Sequence, residues 1–598
     1  MQCGDISPIK PTGQLKKSKK LTMTNNVTPS AELVLEQLGI NSDDLRGQFP
    51  TREQRLQYRA VVQWLTDYKP NSDATNLDKV KGYLEAFYHL CKVEDWERAS
   101  NILFTPLKTP TNEVLDEQLG TWGYNLELVD IYKIILNKLN LELDAIVLNG
   151  LGAAYLSLGV YDAAIESHQQ QLIITREIGD LKLESSALGN LGNAWEAKGD
   201  FHRAINSQKK SLRIAREIKD FERQAVAFLN LGNAYHNLGN YEQAIHYKKK
   251  SLLIAQKIGD LKGQASALGN IGNDYDAIGR HNEAIKYHKQ SLVIAKEIGD
   301  RQTQGNALGN LGVAYFALGD YQQAIDYHYK HLAIAQDMGD REAESSAWHN
   351  LGNAYLSYSR YYKAIECYQK SLTIAKQIGD RRGEGNSLCN IGIAYHDLGK
   401  LNKVIEYQQQ SFVIAKEIQD PVMEASALEN WGIAHYSLGE YDKAIECQQQ
   451  SLEIAQKISD CEGEVTALTN LGIAYEALGD YTKAIDYQQQ SLKIAKEIGE
   501  RQGEGYALCN LGSALIQLQK YSEALNCLQE ARDIFIEIND YYTEAQSIKI
   551  LAQLYQKLGR YDLALESCDR ALSIATELSI PLAKECQELK EKLMREEI

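Results

Sequence analysis

Apolar residues recur along the chain at the three- and four-residue spacing of amphipathic helices, in blocks that repeat every 40 residues without insertion or deletion. In the unit that opens at Asp300, Ala307, Leu308, Leu311, Ala314, Tyr315 and Leu318 mark one helix, and Tyr321, Ala324, Ile325, Leu332, Ile334 and Ala335 mark a second. Gly319 is placed to take the left-handed conformation that stops the first helix, and Asp320 to accept from the open N–H groups of the next. The same punctuation falls between units, at Gly299–Asp300, Gly339–Asp340 and Gly379–Asp380. Asp420 is followed by Pro421, which a first helical position tolerates and a helix interior does not, so a helix boundary is expected there.

Eleven such hairpins are expected from about Leu141 to Ile580, and a charged helix after Pro581, within 581–598, to cover the last apolar face. Residues 1–28 carry Lys10, Lys16, Lys17, Lys19 and Lys20 against one aspartate and read as a disordered basic tail, with Met23 an alternative start. Residues 29–140 read as helical but irregular, one helix plus two irregular hairpins: a run Thr51–Tyr68 ended by Pro70, then Leu77 to Leu103, and then Thr111 to Leu139 after Pro106 and Pro110. Within them Leu84–Leu90 and Trp96–Ala99 echo the repeat phase, as a degenerate unit sealing the stack.

Composition narrows the function classes. A net charge of −16 argues against nucleic acid and against anionic membranes as partners. No stretch has the apolar length of a spanning helix or of a secretory signal, and the ten cysteines are scattered, several in phase with the repeat, as in a reducing compartment. A cytoplasmic chain without metal or cofactor is expected. Phosphate-binding G-x-x-x-x-G-K, H-E-x-x-H and G-x-S-x-G patterns are absent, and the Gly-Glu-Gly phrases at 383–385 and 503–505 follow no strand, so no catalytic residue is assigned and an enzyme is not expected. His168, His288 and His328 share a phase on the second helix, read as a partly exposed face. The triplets Gln408–Gln410, Gln448–Gln450 and Gln488–Gln490 read as part of the same solvated face.

Leu188–Leu191–Gly192–Trp195 with Ala204, and its equivalents Gly232–Tyr235–Ala244 and Gly312–Tyr315–Ala324, resemble the signature of tetratricopeptide (TPR) repeats. The longer unit, with its G-N-L-G-x-A-Y and I-G-D-R phrases, is similar to the LGN/Pins scaffold family and to bacterial, especially cyanobacterial, TPR arrays. The fold implied is all-α, a right-handed superhelical solenoid of about eleven regular hairpins plus degenerate N-terminal ones.

In such proteins the first helices line a concave face, so the resemblance puts Asn190, Asn230, Asn270, Asn310, Asn350, Asn390, Asn430, Asn470 and Asn510 inside a groove. A carboxamide offers an acceptor and two donors, enough to grip a peptide backbone or to tie one repeat to the next. Three residues on, the chain carries Asn193, Asn233, Asn273 and Asn353 in the first half of the array but Val313, Ile393, Ile433 and Ile473 mostly in the second. A groove polar at one end and apolar at the other would orient a bound segment. Glu196, His236, Asp276, His349, His396, Glu429 and Glu476 lie one turn away and lack the basic ring of a carboxylate clamp. Arg301, Arg341, Arg381 and Arg501 form a ladder, the last three with Glu344, Glu384 and Glu504 three residues on, as local pairs.

The function expected is a non-enzymatic scaffold binding an extended or helical segment of a protein partner. The alternatives are a sensor array of a bacterial signalling system acting with a separate nucleotide-switch or protease-like effector, an enzyme with every active residue in the irregular region before Leu141, and self-association through an open edge.

Overall fold

Short polar signals set the helix ends. In the computed structural model, which describes residues 27–71, 74–109, 112–578 and 580–596, Asp300, Asp340 and Asp420 each accept from the backbone N–H three residues on, capping the helices Arg301–Ala317, Arg341–Ser357 and Pro421–Ser437. Pro421 stands at the first helical position. Gly319, Gly299, Gly339 and Gly379 all adopt positive φ, between 70 and 76°. Among the described residues all regular structure is helical, apart from one isolated bridge between Pro106 and Val114. The basic tail lies outside the described residues up to position 26.

The chain divides into two compact units, residues 1–278 and 279–598. The first opens with two short helices that sequence periodicity did not place, Ala31–Gln37 and Leu45–Gln48, followed by Arg52–Thr66. The hairpin expected from Leu77 to Leu103 is formed by the helices Asn76–Lys92 and Trp96–Leu103. Glu94 turns at φ 58° and Asp95 caps the second of them. The hairpin expected from Thr111, itself outside the described residues, to Leu139 is formed by Leu115–Thr121 and Asn125–Ile135, turning at Gly123. The latter helix packs on the first regular one, Leu141–Ser157, where the Tyr132 ring fills the space that a side chain on Gly150 would take. Hairpins starting at Leu141, Leu181 and Phe221 and the helix Leu261–Ala277 complete this unit.

The second unit begins with the helix His281–Glu297 and continues with hairpins starting at Arg301, Arg341, Arg381, Pro421, Cys461, Arg501 and Tyr541. It ends on the helix Leu582–Glu596, whose Leu582, Cys586 and Leu593 are buried against Ala564, Cys568, Ala571 and Ala575. Inside three of these hairpins, tyrosines of the two helices stack: Tyr315 on Tyr327, Tyr395 on Tyr407 and Tyr475 on Tyr487, with centroids 5.3–5.5 Å apart. The arginine ladder is local. Arg381 pairs with Glu384 at 2.8 Å and Arg501 with Glu504 at 2.5 Å, and Arg341 also meets Glu344. The same guanidiniums reach residues near the C-terminal end of their own hairpins, Glu417 and Glu537 among them.

One face of the second helix contradicts its hydropathy. Gln208, Gln408, Gln448 and Gln488 are buried rather than solvated, and so are His168, His288 and His328. Where pairing lies within one unit, each sits over the glycine of the first helix. A Cβ on Gly192, Gly392, Gly432 or Gly472 would lie 2.3–2.6 Å from the glutamine amide nitrogen. The missing side chain opens a slot, and the amide that enters it donates to a main-chain carbonyl of the facing helix: Gln408 to Cys389, Gln448 to Glu429 and Gln488 to Thr469, at 2.9–3.1 Å.

Candidate functional site

Within each unit, successive first helices pack on one another more closely than successive second helices do. The first helices therefore line the inner side of each stack, and every asparagine of the 40-residue ladder sits on them, half-buried. The structure sorts this ladder. Asn190 donates to Asn149 Oδ1 at 2.6 Å, Asn230 to Asn193 Oδ1 at 3.0 Å and Asn390 to Asn353 Oδ1 at 3.3 Å, each bond tying a hairpin to the one before. Asn270 and Asn430 donate back to carbonyls of their own helices, Ser266 and Ser426. Asn350, Asn470 and Asn510 have no side-chain hydrogen-bond partner among the described residues. The tie between hairpins thus accounts for Asn190, Asn230 and Asn390, and one such tie uses a single N–H of a carboxamide that has two, plus an acceptor oxygen.

The position three residues on divides similarly. Asn193 and Asn353 are hubs: besides the ladder bond, Asn193 Oδ1 accepts from Gln208 at 2.9 Å, and Asn353 Oδ1 from the buried Tyr368 hydroxyl at 2.8 Å. Asn233, Ile393, Ile433 and Ile473 are half-buried on the same face, and Asn273 and Val313 are exposed on it.

Two cavities open between first helices of the second unit. One, of about 670 Å³, is lined by Val465, Thr469, Asn470, Ile473, Tyr506 and Asn510, with Glu462 and Glu500 also at its wall. The other, of about 600 Å³ and three repeats earlier, is lined by Ser345, Ser346, His349, Ser371 and Asn386. The structure thus brings Asn470, Ile473 and Asn510 to one cavity.

Several of the acidic and imidazole candidates form ties between hairpins. Glu196 accepts from Asn237 at 2.8 Å, Glu476 from Ser513 at 2.7 Å, and His349 meets Asn390 at 3.3 Å. Burial raises the carboxyls of Glu196 and Glu476 and lowers the His349 imidazole. Glu429, also desolvated and only partly compensated by the Ser451 hydroxyl, is pushed up to about 7.

Sequence reasoning missed the pair beneath the inner face of the first unit. Lys248 Nζ stands 2.6 Å from Asp274 Oδ1, with side chains 2% and 0% exposed. His236 Nδ1 approaches the same oxygen at 2.7 Å, while Asp274 Oδ2 has no partner among the described residues. Burial pushes the Lys248 ammonium down, and Asp274 opposes that shift. A signal was present: Asp274 stands where nine other units, from Ala154 to Ala514, carry alanine.

Among the described residues no group of His, Cys, Asp and Glu is arranged to hold a metal ion, and no helix is long and apolar enough to cross a membrane.

Residues 143–217, 223–297, 266–337, 303–377, 343–417, 423–497 and 503–577 match the tetratricopeptide repeat family model, together well over half of the chain. A search of curated proteins gives no match. Among solved structures, the STAND protein PH0952 with a tetratricopeptide repeat sensor, from Pyrococcus horikoshii, is 17% identical over 73% of this chain and 68% of its own, with a TM-score of 0.46. The apo quorum sensor NprR from B. thuringiensis is 14% identical over 64% of this chain and 99% of its own, at 0.41. BtubC from P. vanneervenii is 21% identical over 37% and 92%, at 0.34.

Proposed function

The chain belongs to the tetratricopeptide repeat family, and from that premise we propose that it is a non-enzymatic protein-interaction scaffold, holding an extended or helical segment of a partner protein against the asparagine-bearing inner face of its first helices. The observation that carries this reading is the subset of ladder carboxamides, Asn350, Asn470 and Asn510, that stay half-exposed without an internal partner, two of them at the wall of a cavity. A polar side chain held at a fixed array position and left unsatisfied is suited to a peptide backbone, whose N–H and C=O groups recur whatever its sequence. The likeness of the long repeat to LGN/Pins scaffolds fits the same reading. So does a cytoplasmic setting, since the nine cysteines among the described residues are all free thiols.

The test is capture of a partner by the full chain, mapping of the bound segment, and comparison of two triple variants. Asn350→Ala/Asn470→Ala/Asn510→Ala is expected to lose capture with helical circular dichroism unchanged. Asn190→Ala/Asn230→Ala/Asn390→Ala is expected to lower stability. Retained affinity in the first variant would refute the groove reading.

A further inference from the structure

We infer that the cavity between the helices Cys461–Ala477 and Arg501–Gln517 is the anchor point of the bound segment, taking one large apolar side chain of a partner peptide that is flanked by lysine or arginine. This inference rests on the groove reading above and adds the partner's chemistry to it.

Two places of equal phase differ in their walls. The cavity near His349 is three repeats earlier, and Ser345, Ser346, His349 and Asn386 of its wall hold the repeat positions of Val465, Thr466, Thr469 and Tyr506 in the wall near Ile473. Ser345 becomes Val465 and Asn386 becomes Tyr506, and the repeat position of Ile473 carries Asn353 upstream, away from that cavity's wall. At the exchanged positions the same backbone arrangement carries hydroxyl and carboxamide groups in one place and larger apolar side chains in the other, there beside the polar Thr466, Thr469, Asn470 and Asn510. The apolar wall is also firm. Tyr506 is 37% exposed, its ring lies edge-on to the buried Phe535 at 5.7 Å, and its hydroxyl is 3.4 Å from Thr543 Oγ1 on the next first helix. Val465 is 4% exposed, and Gly503 lets it approach: a Cβ there would lie 2.7 Å from Val465 Cγ1. A rigid, concave, partly apolar site of this size is what a buried anchor residue fills.

Charge selects the flanks. Glu462 and Glu500 line the cavity and no lysine or arginine does. The guanidinium of Arg501, next in sequence to Glu500, is held by Glu504 and Glu537 at 2.5 Å each. Glu462 is exposed, and the whole chain carries −16. A segment with basic residues beside its anchor meets complementary charge, and an acidic one is repelled. Asn470 and Asn510, without internal partners, are set to bond the segment's backbone around the anchor.

The test is selection of a phage-displayed random peptide library on the full chain, then fluorescence anisotropy of synthetic copies of the selected peptides. The selected sequences are expected to share one aromatic or large aliphatic residue with lysine or arginine within a few positions. Ile473→Asn/Tyr506→Asn installs the side chains of the equivalent upstream positions and is expected to weaken these peptides about tenfold or more at unchanged helicity. Glu462→Lys is expected to weaken them several-fold and to flatten the salt dependence.

Acidic or wholly polar selected peptides overturn the inference. So does undiminished binding to the double variant by peptides that Asn350→Ala/Asn470→Ala/Asn510→Ala no longer binds, an outcome that leaves the groove reading standing. Failure to select any peptide, or binding untouched by both sets of substitutions, overturns both.

Discussion

Replacing Lys248 by methionine leaves the Asp274 carboxylate, 0% exposed, with a single neighbouring donor, His236 at 2.7 Å. Removing one member of a buried pair strands the other charge, a loss of about 3–5 kcal/mol. Because the His236 side chain is 34% exposed and its ring nitrogen stays beside Asp274, Lys248→Met is expected near the low end, about 3 kcal/mol. Asp274→Ala strands Lys248 with only the Asn270 carbonyl at 3.4 Å and is expected near the high end, about 5 kcal/mol. The double change Lys248→Gln/Asp274→Ala restores what the preceding repeat uses, Gln208 over Gly192 with Ala234 on the next first helix. It is expected within about 1 kcal/mol of the parent or above it, since a packed neutral replacement of a buried ion pair is often neutral or stabilising. The assay is urea denaturation followed by circular dichroism, with hydrogen exchange of the segment 221–277 to localise the effect, because repeat arrays need not unfold in one step. A coupling energy below about 0.5 kcal/mol, with the two single losses simply adding, would refute the reasoning.

Gly472→Ala puts a Cβ 2.3 Å from the amide nitrogen of the buried Gln488. It is expected to lower stability by about 1–3 kcal/mol, and Gln488→Ala is expected to restore most of that in the same denaturation assay. Glu429, pushed up to about 7 from an ordinary 4.5, holds a proton in the folded chain that the unfolded chain releases between those values. Its contribution to stability is therefore whole below 4.5 and falls as pH rises to about 7. Glu429→Gln removes that loss, so the variant's advantage in urea midpoint is expected to grow between pH 5 and pH 8. Discounted for partial exposure, the gain is on the order of 1–2 kcal/mol, and a difference independent of pH would contradict the assignment.

What the sequence determined by itself was everything carried by local chemistry. The repeat length, the two helices per unit, the Gly–Asp stops and the boundary at Asp420–Pro421 depend on residues within a few positions of one another, and the structure places them where that chemistry puts them. The irregular region before Leu141 was less legible, because short helices such as Leu45–Gln48 hold too few turns to leave a periodic signal. The asparagine ladder was visible as a phase, yet its division into hairpin ties and open carboxamides was not, since Asn190 and Asn470 occupy the same place in the repeat and differ only in what faces them.

Only the tertiary structure decided which polar residues are buried. Gln408 looks solvated along its own helix and is enclosed because Gly392, 16 positions away, has no side chain to exclude it. Lys248 and Asp274 each look like a surface substitution, and become a buried pair once stacking sets one hairpin's second helix on the next hairpin's first. Hydropathy along a helix records the preference of one residue, whereas burial depends on the volume left by its neighbours, and those neighbours are brought together only by folding.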